Sequence, residues 1–63
     1  MVALSEILIA NPQFVSFAQV VATVKAVGED GERFFQPDIK PDFPDTPRNW
    51  EDVLEAAFIW GNR

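Results

Sequence analysis

The sequence contains no cysteine, no histidine and no tyrosine. Without a thiol, the chain has no disulfide, no thiolate nucleophile and no Cys-ligated zinc site. Without an imidazole, it lacks the usual general base near neutral pH and a common metal ligand. Catalysis by carboxylates would need a cleft that holds two acids with perturbed pKa values, and few chains of this size can enclose one. The composition therefore predicts no enzymatic activity, no cofactor and no bound metal.

The chain has little room for a hydrophobic core, because it is only 63 residues long. A domain of about 60 residues buries only about 60% of the surface that its unfolded chain exposes, so its stability is marginal. Disulfides and thiolate or imidazole metal sites are not available to supplement the core, which leaves oligomerisation or partner binding. We therefore interpret residues 1–63 as a single small domain and expect it to form a homodimer.

The N-terminal half does not have the pattern of a signal peptide or of a membrane span. No basic residue precedes the first apolar stretch, and Glu6 interrupts that stretch. The uncharged run 7–24 contains Pro12 and several polar residues, which make it a poor membrane span. Together with the absence of cysteine, these features predict a cytoplasmic protein that does not bind membranes.

The net charge of −5 is confined to residues 29–63. The first 28 residues contain one acid and one base, Glu6 and Lys25, whereas the remaining 35 contain nine acids and four bases. A chain with this negative excess and no basic patch is repelled by phosphate groups, so direct nucleic-acid binding is not expected. The uncharged half is expected to form the core or an interface. The acidic half is expected to face water or a basic partner.

Residues 2–10 are predicted to form a short helix that ends at Asn11 and Pro12, with a strand at 7–10 as the alternative. The next apolar segment, 14–27, can also be helical. In that case Asn11 would cap the helix, Pro12 would occupy its first position and Gly28 would close its end.

The same segment also has features of a strand. Residues 19–27 alone contain five β-branched residues, namely Val20, Val21, Thr23, Val24 and Val27. The loop 29–31 has a glycine at the position that favours a left-handed conformation, and the aromatic run 33–36 can supply a return strand. We favour this interpretation, an antiparallel hairpin of residues 19–27 with 32–36.

Residues 36–49 repeat a Pro-Asp-X unit three times, beginning at Pro37, Pro41 and Pro44. Prolines at this density forbid a helix and are typical of an extended connector. One hypothesis is a rigid crossover that Ile39 and Phe43 hold to the core. The other is an exposed acidic ribbon whose aspartates contact a row of Lys or Arg side chains.

Residues 50–60 have the clearest helical pattern in the sequence. Apolar residues recur with helical spacing at Trp50, Val53, Leu54, Ala57 and Phe58. Asn49 is the predicted cap, with Asp52 completing a capping box, and Gly61 is expected to end the helix. Three acids fall on the opposite side of the helix together with one large apolar residue, Ile59.

The sequence thus predicts an α+β domain with an antiparallel β-hairpin, a Pro-rich crossover and a C-terminal amphipathic helix. The alternative is an all-α fold of three short helices. The predicted function is that of a small acidic, non-enzymatic protein-interaction module, an inhibitor or adaptor that docks on a basic surface of a larger protein. A structural homo-oligomer or a small subunit of a larger assembly is the alternative. The predicted protein-binding residues are Asp38, Asp42, Phe43, Asp45, Glu51, Asp52, Glu55 and Ile59.

Overall fold

A computed structural model describes all 63 residues as three helices and one pair of very short strands. Strand β1 (Val2–Ala3) leads directly into helix α1 (Leu4–Ala10), which is followed by helix α2 (Phe17–Glu29). Strand β2 (Phe35–Gln36) and helix α3 (Trp50–Gly61) complete the chain. None of these helices combines the length and the apolar character that crossing a membrane requires.

The predicted hairpin of residues 19–27 with 32–36 is wrong, and the three-helix alternative is closer to the structure. Residues 17–29 form α2, and the two strands are parallel, with Val2 opposite Phe35 and Ala3 opposite Gln36. The β-branched residues favoured the wrong element because their preference for strands mostly reflects the packing around their side chains. Here the interface between helices provides that packing. Gly31 has the expected positive φ of 91°, but it follows the end of a helix instead of joining two strands.

The N-cap of helix α2 lies five residues after the predicted cap at Asn11. Ser16 is the N-cap, and its hydroxyl oxygen accepts a hydrogen bond from the Gln19 backbone N–H at 3.4 Å. The Gln19 side-chain oxygen accepts from the Ser16 backbone N–H at 3.1 Å, which completes a capping box. Asn11 instead ends α1, where its side-chain amide donates to the Ile7 carbonyl oxygen at 2.8 Å.

Helix α3 lies where its apolar spacing placed it and is one residue longer than predicted. Asn49 occupies the N-cap position, but its side chain makes no capping hydrogen bond, so the predicted capping box with Asp52 does not form. Leu54 and Phe58 are buried on the inner face of the helix. The inner faces of all three helices form the core, whose buried side chains are Leu4, Ile7, Phe17, Val20, Val24, Leu54 and Phe58.

Helices α2 and α3 approach each other closely, and a glycine from each lies at the contact. A Cβ atom at Gly28 would lie 2.5 Å from the Phe58 carbonyl oxygen, and one at Gly61 would overlap the Lys25 carbonyl oxygen. Only a residue without Cβ allows two backbones this close. Gly61 therefore belongs to the helix crossing, and it does not end α3 at Trp60 as predicted.

We expect Gly28→Ala to lower the free energy of unfolding, by about 1–3 kcal/mol as in other overpacked interiors. At an open helical site the same substitution stabilises by up to about 1 kcal/mol, because alanine is the better helix former. Urea unfolding followed by tryptophan fluorescence measures the difference. Ala22→Gly, at an exposed position of the same helix, gives the intrinsic propensity effect. An increase in stability for Gly28→Ala would contradict the close crossing.

Candidate protein-binding surface

The connector between β2 and α3 lies against the three-helix core. Pro41 is fully buried and Phe43 is half-buried against the core, whereas Ile39 remains 50% exposed. The packing agrees with the hypothesis of a crossover held to the core. However, Pro41 and Phe43 make the attachment, and Ile39 contributes less of its surface than expected.

Two aspartates of the Pro-Asp-X repeat bind the starts of helices. The Asp45 carboxylate accepts hydrogen bonds from the backbone N–H groups of Phe17 at 2.6 Å and Ala18 at 3.2 Å, the first two residues of α2. The Asp38 carboxylate accepts from the Ser5 backbone N–H at 3.0 Å and from its hydroxyl at 2.7 Å. Negative charge is favourable at these positions because the first N–H groups of a helix have no partner within it. Both carboxylates are therefore occupied within the chain.

These hydrogen bonds lower the pKa of both carboxyl groups. The Ser5 hydroxyl is the largest cause for Asp38, and the Phe17 N–H is the largest cause for Asp45. A carboxyl group with a lowered pKa in the folded state stabilises the fold at any pH above its unfolded value, here 3.8. That contribution is lost as the pH falls through the lower folded value. The attachment of the connector is therefore intact at neutral pH and weakens only in acid.

The outer face of α3 presents the other acids of the predicted site. Glu51, Asp52, Glu55 and Ile59 are all exposed, and Ile59 keeps 65% of its accessible surface. None of the three carboxylates forms an ion pair, because the single ion pair of the structure joins the N-terminal amine to Glu32 at 3.1 Å. The face therefore combines uncompensated negative charge with one large apolar side chain.

The two remaining predicted residues lie on the connector. Asp42 is exposed, and its carboxylate forms no ion pair. Unlike the other two aspartates of the repeat, it does not bind the start of a helix. Phe43 keeps part of its surface exposed while it packs on the core. No group of three or more acids is arranged to hold a metal ion.

A groove of about 230 Å³ between β2 and α3 was not predicted from the sequence. Its lining residues are Arg33, Phe34, Phe35, Glu55, Phe58 and Ile59. The rings of Phe35 and Phe58 stack with their centroids 5.5 Å apart, whereas Phe34 is 65% exposed. The signal in the sequence was the pair of adjacent phenylalanines. Phe35 lies in β2 and packs against α3, whereas Phe34 precedes the strand and stays exposed.

We expect Asp45→Asn to lower the urea midpoint at pH 7, because a neutral amide offers one acceptor oxygen to two N–H groups and no charge to the helix start. The difference from the wild type should shrink as the pH falls below 3.8 and through the lower pKa of the folded state, where the Asp45 carboxylate of the folded chain becomes protonated. Unfolding measured at pH 7 and in acid tests this. Asp42→Asn, on the same connector, is the matched control, and equal losses in both variants would argue against the capping role.

Comparisons of the chain with protein-family models, with curated proteins and with solved structures found no match.

Proposed function

We propose that the chain is a small acidic protein-interaction module that docks on a basic surface of a larger protein. The supporting observation is the outer face of α3, where Glu51, Asp52 and Glu55 share one side of the helix with the exposed Ile59. Complementary charges accelerate the encounter of two proteins, and a central apolar anchor supplies much of the binding energy. An inhibitor or an adaptor would use such a face.

Helix stability explains the presence of some acids of α3 but not of others. Glu51 and Asp52 lie in the first turn, where negative charge stabilises the helix through its dipole. Glu55 lies beyond the first turn, and the exposed side chain of Ile59 contributes little to the core. A helical row joins Glu51, Glu55 and Ile59, because residues four apart lie one above the other. Glu55 and Ile59 therefore support the proposal more strongly than the two first-turn acids do.

The chemistry of this face defines its partner. Lys or Arg side chains around an apolar recess would complement the three acids and Ile59. The partner is proposed to be a protein and not a nucleic acid, because the chain carries a net charge of −5. A cytoplasmic location is part of the same proposal, since the chain does not depend on disulfides.

The test compares two triple variants that change the net charge equally, from −5 to −2. One neutralises the α3 face (Glu51→Gln, Asp52→Asn, Glu55→Gln), and the matched control neutralises three exposed acids elsewhere (Glu6→Gln, Glu29→Gln, Asp30→Asn). Each immobilised variant is exposed to extract of the native host, and the captured protein is then purified. The captured protein should bind the α3 variant about tenfold more weakly than it binds the wild type, because three exposed ion pairs are lost. The control should bind as the wild type does.

Salt provides a second readout of the same interaction. An interface that depends on exposed charges weakens as the ionic strength rises, because the Debye length shortens. Binding that neither salt nor the α3 variant changes would rule the proposal out.

A further inference from the structure

Strand β2 has a neighbouring strand along one edge only. The sheet consists of β1 and β2, and the Val2 N–H donates to the Phe34 carbonyl oxygen at 2.9 Å. Val2 lies opposite Phe35 in the parallel register. Because successive backbone groups of a strand point to alternate edges, the N–H and C=O of Phe35 point away from β1. The far edge of β2 is therefore available to another strand.

The groove described above lies on the β2 side of the two-stranded sheet. Three consecutive residues of the strand side line it, Arg33, Phe34 and Phe35, and no residue of β1 does. Phe35 belongs to β2, and Arg33 and Phe34 immediately precede it, so the groove lies beside β2 and away from β1. Helix α3 forms the other side of the groove, with Glu55 and Ile59 at its rim.

The two sides of the groove complement each other. The strand side carries Arg33 and the exposed Phe34, and the helix side carries Glu55 and the exposed Ile59. Neither Arg33 nor Glu55 forms an ion pair within the chain. A twofold axis brings a surface against its own copy. An axis that passes between the two sides of the groove would place the Arg33 of one copy opposite the Glu55 of the other, with the apolar side chains between them.

We infer that the open edge of β2 and this groove receive a second copy of the chain. The two β2 strands pair antiparallel, so that two β1–β2 pairs form one four-stranded sheet. A purely basic segment inside the groove would suit Glu55 but would be repelled by Arg33, whereas a second copy supplies a carboxylate to Arg33. The dimer also covers Phe34 and Ile59 in a domain whose own core contains only seven buried apolar side chains. It does not depend on the proposed basic partner.

The first test measures the mass in solution over a range of concentrations by sedimentation equilibrium, at about 0.15 M salt. The wild type should approach twice the 7.1 kDa of one chain. Phe34→Glu should weaken the dimer at least tenfold, because it places a charge in the apolar centre of the interface. Ile9→Glu makes the same change in charge at a side chain that is 80% exposed on α1, outside the groove, and should have no effect. Circular dichroism verifies that both variants are folded.

A charge exchange tests the pairing of Arg33 with Glu55. Arg33→Glu changes the net charge from −5 to −7 and Glu55→Arg changes it to −3, so a general charge effect would shift the two variants in opposite directions. The proposed pairing predicts that each single variant weakens the dimer, by about fivefold or more for two exposed pairs. The double variant should restore the dimer, because each copy again places an acid opposite a base.

A wild type that stays monomeric at all concentrations would overturn the dimer. So would equal effects of Phe34→Glu and Ile9→Glu, or a double exchange that does not restore the association. A monomer that still captures a basic protein through α3 would leave the proposed function standing. Because the dimer covers Glu55 and Ile59, capture is also measured at concentrations where the chain is monomeric. A monomer that captures none would remove the proposed function and leave the interface.

Discussion

At the crossing of α2 and α3, Gly28 and Gly61 each face a backbone carbonyl of the other helix. The small distance between the two backbones leaves Val24 and Leu54 fully buried in the core between these helices and α1. It also places Phe58 under the ring of Phe35, and this stacking positions β2 beside α3. The groove and the outward direction of the acids on α3 both follow from this contact. A domain with seven buried apolar side chains has little other packing to replace it.

The connector provides a second constraint in a chain that has no disulfide. Asp38 holds it to the start of α1 and Asp45 holds it to the start of α2, while Pro41 is buried between these two points. Its prolines reduce the conformational freedom of the unfolded chain, so less entropy is lost when the connector is ordered. Because it joins β2 to α3, the same attachment also limits how far the two sides of the groove can separate. Acidic residues that resemble a partner-binding ribbon in the sequence thus have a structural role.

Local signals in the sequence identify some of this structure, and non-local contacts determine the rest. The apolar spacing of residues 50–60 was sufficient for α3, and it also predicted the exposed side of the helix that carries its acids and Ile59. The start of α2 had a local signal that was missed, the capping box of Ser16 and Gln19. The hydrogen bond from Phe17 to Asp45 spans 28 residues, and no local pattern indicates it. The parallel pairing of residues 2–3 with 35–36 is also non-local, and for this reason the groove could not be predicted.

Glu55 and Ile59 belong both to the outer face of α3 and to the rim of the groove. Pairing of two copies along β2 would cover them, whereas a basic partner would need them free. The two proposed interactions therefore compete for the same side chains. A partner that binds only the monomer shifts the monomer–dimer equilibrium towards the monomer, and by linkage the dimer lowers the apparent affinity for that partner. Glu51, which does not line the groove, would remain available to steer a basic protein towards the dimer. The concentration of the chain would then control how much of it is free to bind.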